Sequence, residues 1–329
     1  MPRFRAVVTD FVSGEPTAER AVLGDLAEVV ALDATHESEL AGKVEDADVL
    51  MVYRVTVRAD TIARLTRCKL IVRCAVGYDN IDHLVARGRG IPVCNVPDYG
   101  TEEVADTAIG LMLALARGNH FHNSRLRHGV MPWNYATAAP ISRLRGKVFG
   151  VVGLGRIGTA AALRAKAFGM DVVYFDPFKP AGYDKALGVR RAESLAELLR
   201  QAFVVSVHTP LTDGTRNLID AAALAAMPRG SVLVNTARGA CVDATAIPTA
   251  IASGHLSGAG IDVLPDEPPP DDHPLLVAWR DVNHPCHDRV ILTPHSAFYS
   301  EEGILDMRTK GAQECRRALL GEPLRNVVN

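Results

Sequence analysis

Three glycines, Gly153, Gly155 and Gly158, stand in a G-x-G-x-x-G pattern between an apolar run and an alanine-rich stretch. The first glycine allows a tight turn, the second lets the backbone approach a pyrophosphate, and the third lets a helix pack closely on a strand. A helix that begins here also offers free N–H groups and partial positive charge to phosphates. The bare pattern occurs often by chance, so its place between a predicted strand and a predicted helix is what indicates a dinucleotide-binding turn.

An acidic residue, Asp176, lies 18 residues beyond Gly158 (176 minus 158), at the end of the next predicted strand. A carboxylate at this position accepts hydrogen bonds from the adenosine ribose and repels a ribose 2′-phosphate. The alternative is a glycine-rich turn without a nucleotide, and the combination of strand, glycines, helix and acid argues against it. We therefore predict NAD as the cofactor rather than NADP, with the nearby Lys179 acting slightly against that preference.

Charged and titratable side chains follow several other predicted strands. Arg238 follows VLVNTA, Glu267 follows the strand at 260–263 after a short loop, His295 follows VILTP, and His208 follows VVSV. Ligands of doubly wound sheets bind outside the carboxyl ends of the strands. A histidine suits proton transfer near neutral pH, a carboxylate partner raises the pKa of a histidine, and a guanidinium binds a carboxylate. Each residue alone is more often an ordinary surface group, but together they fit hydride transfer to a keto acid.

The elements that must position these residues form two alternating series. Short β-branched runs alternate with alanine- and leucine-rich stretches, which predicts α/β architecture with two doubly wound parallel-sheet lobes. We expect residues 100–295 to form a Rossmann NAD-binding domain that contains the glycine pattern. Residues 1–99 and 296–329 are expected to form a discontinuous, flavodoxin-like substrate-binding domain.

Several sequence blocks resemble the D-isomer-specific 2-hydroxyacid dehydrogenases. NTARGACVD, GAGIDVLPDEP and ILTPHSAFYS resemble the three signature blocks of that family, and RCAVGYDNID is similar to it too. The resemblance covers nearly the whole chain and is closest to the C-terminal-binding protein branch, through NVPDYGTEEVADTAIG, ALRAKAFGMDVVYFDP and PHSAFYSEE. It implies NAD-dependent interconversion of a small 2-keto acid, such as glyoxylate or hydroxypyruvate, and a D-2-hydroxy acid bound between two lobes.

The resemblance also implies individual roles. Arg238 would bind the substrate carboxylate and polarise the keto group, His295 would be the acid in reduction and the base in oxidation, and Glu267 would keep His295 protonated. His208 falls towards the adenosine side and is not expected to be a catalyst. The implied cofactor site comprises Gly153, Gly155, Arg156, Ile157, Gly158, Asp176, Thr107, Thr209, Pro210, Thr236, Ala237 and Asp262, the last beside the nicotinamide carboxamide.

The implied substrate contacts lie mainly in the first lobe. The backbone at Val76 and Gly77 would grip the carboxylate, and Phe298 stands where the branch has a tryptophan. Arg54 and Arg73 leave two interpretations open. Either the two arginines bind a second anionic group on the substrate, or Arg73 binds the substrate carboxylate and Arg54 pairs with a surface acid.

The overall composition excludes several classes of function. Hydrophobic residues make up 48% of the 329 residues and charged residues 22%, as in globular chains. A net charge of −2 favours neither nucleic acid nor an anionic membrane, and no apolar run approaches the roughly 20 residues of a membrane span. Six scattered cysteines without a CxxC pair favour a location in the reducing cytoplasm. The HPCH spacing at 284–287 fits no usual zinc site.

A binding function is the rival interpretation. C-terminal-binding proteins use the same fold to sense NAD(H) and recruit partners, and fold alone does not separate sensing from catalysis. The chain lacks long tails and keeps Arg238, Glu267 and His295, which favours catalysis. The resemblance further implies a homodimer, with the helix expected at 101–117 and the stretch up to Trp133 as candidate contacts.

Overall fold

The computed structural model describes residues 4–138 and 141–329 of the chain. It divides into two compact units, and each is an α/β structure around a parallel sheet, which confirms the predicted fold class. Unit 1 comprises Met1–Gly100 and Tyr299–Asn329, and unit 2 comprises Thr101–Phe298. The expected limits fell after residues 99 and 295, whereas the units divide after residues 100 and 298, so Gly100 lies in unit 1 and residues 296–298 lie in unit 2 with His295.

Unit 1 has a five-stranded sheet in the order β2-β1-β3-β4-β5, the flavodoxin-like order. All four residues of β3 are buried, as expected for a central parallel strand that is covered on both faces. The strands are Phe4–Val8 (β1), Ala27–Ala31 (β2), Val49–Val52 (β3), Leu70–Arg73 (β4) and Val93–Asn95 (β5). The helices are Thr17–Leu23 (α1), Ala59–Arg64 (α2), His83–Gly88 (α3) and the C-terminal helix Glu301–Leu320.

The C-terminal helix completes unit 1 by packing on α1, β3 and β4. Ser300 caps its first turn by accepting a hydrogen bond from the Gly303 N–H at 2.8 Å. Arg308 donates from Nε and Nη2 to the fully buried Glu19 of α1, at 2.8 and 2.7 Å. The hydroxyl of Tyr53 donates to the same carboxylate at 3.2 Å. Because a buried carboxylate needs such partners, this ion pair links the two separated segments of the unit.

Unit 2 has a seven-stranded parallel sheet in the order β12-β11-β10-β9-β6-β7-β8. Its strands are Val148–Val152 (β6), Asp171–Phe175 (β7), Arg190–Arg191 (β8), Val204–Val207 (β9), Ser231–Asn235 (β10), Leu256–Ile261 (β11) and Val290–Leu292 (β12). Its helices are Thr101–Arg117 (α4), Asn119–Arg127 (α5), Arg156–Ala167 (α6), Tyr183–Leu187 (α7), Leu195–Leu199 (α8), Ala221–Ala226 (α9), Ile247–Ala252 (α10), Pro274–Arg280 (α11) and Cys286–Arg289 (α12).

Helices cover both faces of the unit 2 sheet. Met112 of α4 and Ala162 of α6 belong to one apolar cluster, while Leu198 of α8 and Ile247 of α10 belong to another. The strand order reverses between β6 and β9, and such a reversal marks the usual ligand site of an open α/β sheet. The fold therefore predicts a ligand site at the loops that follow these strands.

Residues 4–138 and 141–329 contain neither a membrane-spanning helix nor a cluster of metal ligands. Within these ranges, no helix has the length and apolar composition needed to cross a bilayer. Histidine, cysteine, aspartate and glutamate side chains form no group of three or more, in the same ranges, that is arranged to hold a metal ion.

Candidate functional site

The turn after β6 requires glycine at two positions for steric reasons. Gly153 has a φ of 91°, and a Cβ added there would lie 2.9 Å from the carbonyl oxygen of His208. A Cβ added at Gly158 would lie 2.1 Å from the carbonyl oxygen of Gly153. Strand β6, the start of α6 and the end of β9 therefore approach one another more closely than side chains permit.

Gly155 differs from these two glycines because a Cβ added there would meet no heavy atom within 4 Å. It immediately precedes α6 and has no side chain to cap that helix. The first N–H groups of a helix need acceptors from outside it, and open space beside them suits a pyrophosphate. The glycine turn, together with Arg156 and Ile157 at the start of α6, thus fits a dinucleotide, as predicted.

Asp176 follows β7 and contacts the glycine turn directly. Its Oδ2 accepts a hydrogen bond from the Leu154 N–H and its Oδ1 accepts one from the Phe178 N–H, both at 2.9 Å. Each carboxylate oxygen has a second lone pair, so these bonds leave acceptors for ribose hydroxyls. The Lys179 ammonium lies over the Tyr183 ring, 4.8 Å from its centre.

Five further predicted cofactor residues of unit 2 lie after β9, after β10 or on α4. Thr209 and Pro210 follow β9, and the Thr107 hydroxyl on α4 donates to the carbonyl of Ala297 at 3.3 Å. Thr236, which precedes Ala237 after β10, is only 7% exposed, and its hydroxyl has no hydrogen-bond partner among the described residues. A buried polar group without a partner is uncommon, so this hydroxyl fits a ligand atom.

His208, at the end of β9, does not have the properties of an acid–base catalyst. Burial lowers its pKa to about 4, and its Nε2 lies 2.8 Å from the Ser206 hydroxyl. The imidazole is therefore neutral at physiological pH. The choice of His295 rather than His208 as the proton donor stays a prediction.

His295 and Glu267 form a close pair after strands β12 and β11. The Nδ1 of His295 lies 2.5 Å from Oε2 of Glu267, and Oε1 of Glu267 accepts from the Leu264 N–H at 3.1 Å. Burial raises the pKa of the Glu267 carboxyl, but the hydrogen bond and charge of His295, the Leu264 N–H and the charge of Arg238 together lower it more, so the net shift is downward. Glu267 is then ionised at neutral pH and holds one ring nitrogen, which leaves Nε2 for a substrate.

Asp262 shapes the loop that presents His295. The Asp262 residue is 2% exposed, and its carboxylate accepts from the Thr293 hydroxyl at 2.5 Å, the Ser296 N–H at 2.9 Å and the Ala297 N–H at 3.1 Å. Its carbonyl accepts from the His295 N–H at 2.8 Å, which supports the left-handed φ of 52° at that residue. All of these bonds join Asp262 to protein groups, so it positions His295, and contact with a nicotinamide carboxamide stays a prediction.

Arg238 is half-buried after β10 and lies close to the same pair. The buried Asn235 donates to the carbonyl of Arg238 at 3.0 Å, and Arg238 Nη1 donates to the carbonyl of Ala237 at 2.9 Å. A Cβ added at Gly239 would come within 1.9 Å of Leu264, so this loop packs directly against the loop that leads to Glu267. The charge of Arg238 contributes to the lowered pKa of Glu267. The structure thus brings together all three predicted catalytic residues.

Phe298 lies beside the same histidine within unit 2. Its ring and the His295 ring meet edge to face, with centres 6.0 Å apart. In unit 1, Val76 accepts a hydrogen bond at its carbonyl from Asn95 at 2.7 Å, and Gly77 is half-buried next to it.

The two predicted arginines of unit 1 differ in their surroundings. Arg73 is half-buried and donates from Nε to Oδ1 of Asn80 at 2.7 Å. Arg54 is exposed, and among residues 4–138 and 141–329 no carboxylate forms a salt bridge with it. The role of Arg54 stays a prediction. Asp10 and Asn80, which hold the Arg54 loop, were not among the residues predicted from the sequence. The acid directly after the apolar run AVVT was the one signal for Asp10.

Comparison with known proteins identifies related chains. Residues 109–297, more than half of the chain, match the family model described as D-isomer specific 2-hydroxyacid dehydrogenase, NAD binding domain. A D-3-phosphoglycerate dehydrogenase of Methanocaldococcus jannaschii is 37% identical over 318 residues, covering 96% of this chain and 58% of the relative. C-terminal-binding protein 1 of Caenorhabditis elegans is 33% identical over 313 residues, covering 93% of this chain and 42% of the relative. The chain thus spans about half the length of these two relatives.

A solved structure extends the similarity to both units. The crystal structure of a glyoxylate reductase from Paecilomyes thermophila has a TM-score of 0.85 and 29% identity, and the match covers 100% of this chain and 99% of that one.

Proposed function

Since the chain belongs to the D-isomer specific 2-hydroxyacid dehydrogenase family, we propose that it interconverts a small 2-keto acid and a D-2-hydroxy acid with NAD. The observation that carries this proposal is the 2.5 Å contact between His295 Nδ1 and Glu267, with Arg238 on the adjacent loop. An acid–base group and a carboxylate-binding cation are the protein groups that this reaction requires.

Each residue of this group has a distinct part in the proposed mechanism. NAD supplies and accepts the hydride when it is bound. In reduction, Nε2 of His295 donates a proton to the carbonyl oxygen, and in oxidation it removes a proton from the hydroxyl. Glu267 orients the ring through Nδ1 and stabilises the imidazolium form. Arg238 binds the substrate carboxylate and polarises the keto group.

The other predicted site residues keep their proposed roles. The substrate contacts are Arg54, Arg73, Val76, Gly77 and Phe298, and the cofactor contacts are the glycine turn, Asp176, Thr107, Asp262 and the residues after β9 and β10. Homodimer formation and a cytoplasmic location also stay predictions. Trp133, which is 91% exposed, lies in the segment expected at the dimer contact.

The proposed substrates are glyoxylate, hydroxypyruvate and related short 2-keto acids. The similarity to a glyoxylate reductase over both units supports this choice. The similarity to a phosphoglycerate dehydrogenase adds phosphorylated 2-keto acids to the set. NAD(H) sensing without turnover is the second candidate, and the similarity to C-terminal-binding protein 1 favours it.

A substrate panel separates the two candidates. We expect the purified chain to oxidise NADH with glyoxylate, hydroxypyruvate or phosphohydroxypyruvate, and to use NADPH at least about tenfold less efficiently because Asp176 repels a 2′-phosphate. The measurement is the loss of nicotinamide absorbance, with NADH binding followed separately by fluorescence. Tight NADH binding without turnover of any acid would replace the dehydrogenase proposal with the sensing function.

A further inference from the structure

A buried aspartate of unit 1 organises the loop that contains Arg54. Asp10 follows β1 and is 3% exposed. Its Oδ2 accepts from the N–H groups of Arg54 at 2.5 Å and Val55 at 3.0 Å, and its Oδ1 accepts from the Tyr53 N–H at 3.0 Å. The Thr9 hydroxyl adds a fourth bond at 2.7 Å. Because burial of a carboxylate is costly without donors, these bonds hold three consecutive residues after β3 in one conformation.

An asparagine connects the same loop to Arg73. Asn80 donates from Nδ2 to the carbonyl of Val55 at 2.8 Å, and its Oδ1 accepts from Arg73 Nε at 2.7 Å. In the parallel pairing of β3 with β4, Val52 lies opposite Arg73. The two arginines therefore occupy the carboxyl ends of neighbouring strands, where ligands of open α/β sheets bind.

An aromatic ring supports the guanidinium of Arg54 itself. Phe11 has a φ of 72° and stacks on Tyr53, with ring centres 4.9 Å apart and planes inclined by 14°. The guanidinium carbon of Arg54 lies 5.1 Å from the centre of the Phe11 ring. Stacking on a ring face restricts the side chain and leaves its N–H donors available for an anion.

We propose that Asp10 and Phe11 are positioning residues that hold Arg54, together with Arg73, for a second anionic group on the carbon chain of a 2-keto acid substrate. This inference rests on the proposed dehydrogenase function. The second group is a phosphate or a carboxylate, and both are recognised by the same charge-assisted hydrogen bonds from guanidinium donors. Discrimination between substrates with one and two anionic groups then depends on Asp10 and Phe11, although these residues act only through Arg54.

The opposite end of the same sheet offers matched control positions. Asp48 directly precedes β3, is also buried, and its Oδ2 accepts from the Arg5 N–H of β1 at 2.7 Å. Phe4 of β1 has the Lys69 ammonium 4.6 Å from its ring centre. Asp48→Asn and Phe4→Leu therefore remove the same kinds of interaction at the amino ends of the strands, away from Arg54.

The test compares kcat and KM for glyoxylate, phosphohydroxypyruvate and oxaloacetate with saturating NADH. Glyoxylate has one anionic group. Phosphohydroxypyruvate has a phosphate as its second anionic group and oxaloacetate has a second carboxylate, so these two acids show which kind of group the arginines bind. We expect Arg54→Gln to raise KM for at least one two-anion acid about 30-fold, and to raise that KM about ten times more than the KM for glyoxylate. Asp10→Asn and Phe11→Leu are expected to raise the same KM about three- to tenfold, because the arginine remains but is less restricted.

The outcomes are distinct. Asp48→Asn and Phe4→Leu are expected to leave the ratio of kcat/KM between two-anion acid and glyoxylate unchanged. The positioning roles would be overturned if Asp10→Asn and Phe11→Leu lowered kcat/KM equally for all acids. They would also be overturned if only Arg54→Gln changed the ratio. An unchanged ratio in Arg54→Gln would overturn the second-anion site. Wild-type protein that oxidises NADH with none of the acids would overturn the proposed function, and this inference with it.

Discussion

Replacing His295 with alanine is expected to lower kcat/KM for keto-acid reduction by about 10²–10⁴-fold, the usual contribution of a positioned acid–base group. The alanine has no proton to give to the carbonyl oxygen, and water must replace Nε2 as the donor. NADH binding should stay within about twofold, because a residue that acts on the transition state need not contribute to ground-state binding of the cofactor. Steady-state NADH oxidation and fluorescence titration measure the two quantities.

The control for this variant is His36→Ala, because His36 is an exposed histidine of unit 1, outside the predicted site residues and the segment expected at the dimer contact. It should change neither turnover nor NADH binding. Unchanged reduction in His295→Ala would contradict the assignment of His295 as the proton donor. A large loss of NADH binding would instead show that the β12 loop serves mainly to hold the cofactor.

Replacing Arg238 with glutamine is expected to lower kcat/KM by about 10²–10³-fold, the scale of losing one donor aimed at developing negative charge. The glutamine keeps part of the length and polarity of the side chain but removes the charge and the paired donors for a carboxylate. Both kcat and KM should worsen, because the group binds the carboxylate in the ground state and polarises the keto group in the transition state.

Arg229→Gln provides the comparison for Arg238, since Arg229 is an exposed arginine that donates to the Ser253 carbonyl. It should leave both constants unchanged. Arg238→Lys should recover part of the lost activity, because the charge returns without the planar pair of donors. Turnover by Arg238→Gln at the wild-type rate would rule out a direct role for this residue.

The features that the sequence predicted well depend on residues near one another in the chain. The glycine turn is an example, because the steric conflict at Gly158 arises with Gly153, only a few residues before it. The buried β3 strand is another, since its continuous apolar run already indicates a strand covered on both faces. The alternation of strands and helices and the handedness of their connections then restrict the strand order to a few possibilities.

The features that the sequence could not supply depend on distant residues. The bonds of Asp10 to the Arg54 loop join residues 43 to 45 positions apart. Those of Asp262 to the His295 loop span 31 to 35 positions. A single sequence does not show which donors will meet a buried carboxylate, because that depends on strand register. For the same reason the sequence left open whether Arg54 pairs with a surface acid.

The central claim is that one imidazole, His295, is the acid in reduction and the base in oxidation. It is tested most directly by measuring kcat/KM against pH in both directions, with NADH and a keto acid and with NAD and the matching D-2-hydroxy acid. We expect reduction to fall and oxidation to rise as pH increases, around one common pH, because the ring must hold the proton in one direction and lack it in the other. Two profiles that change in the same direction, or opposite profiles that persist in His295→Ala, would contradict the claim.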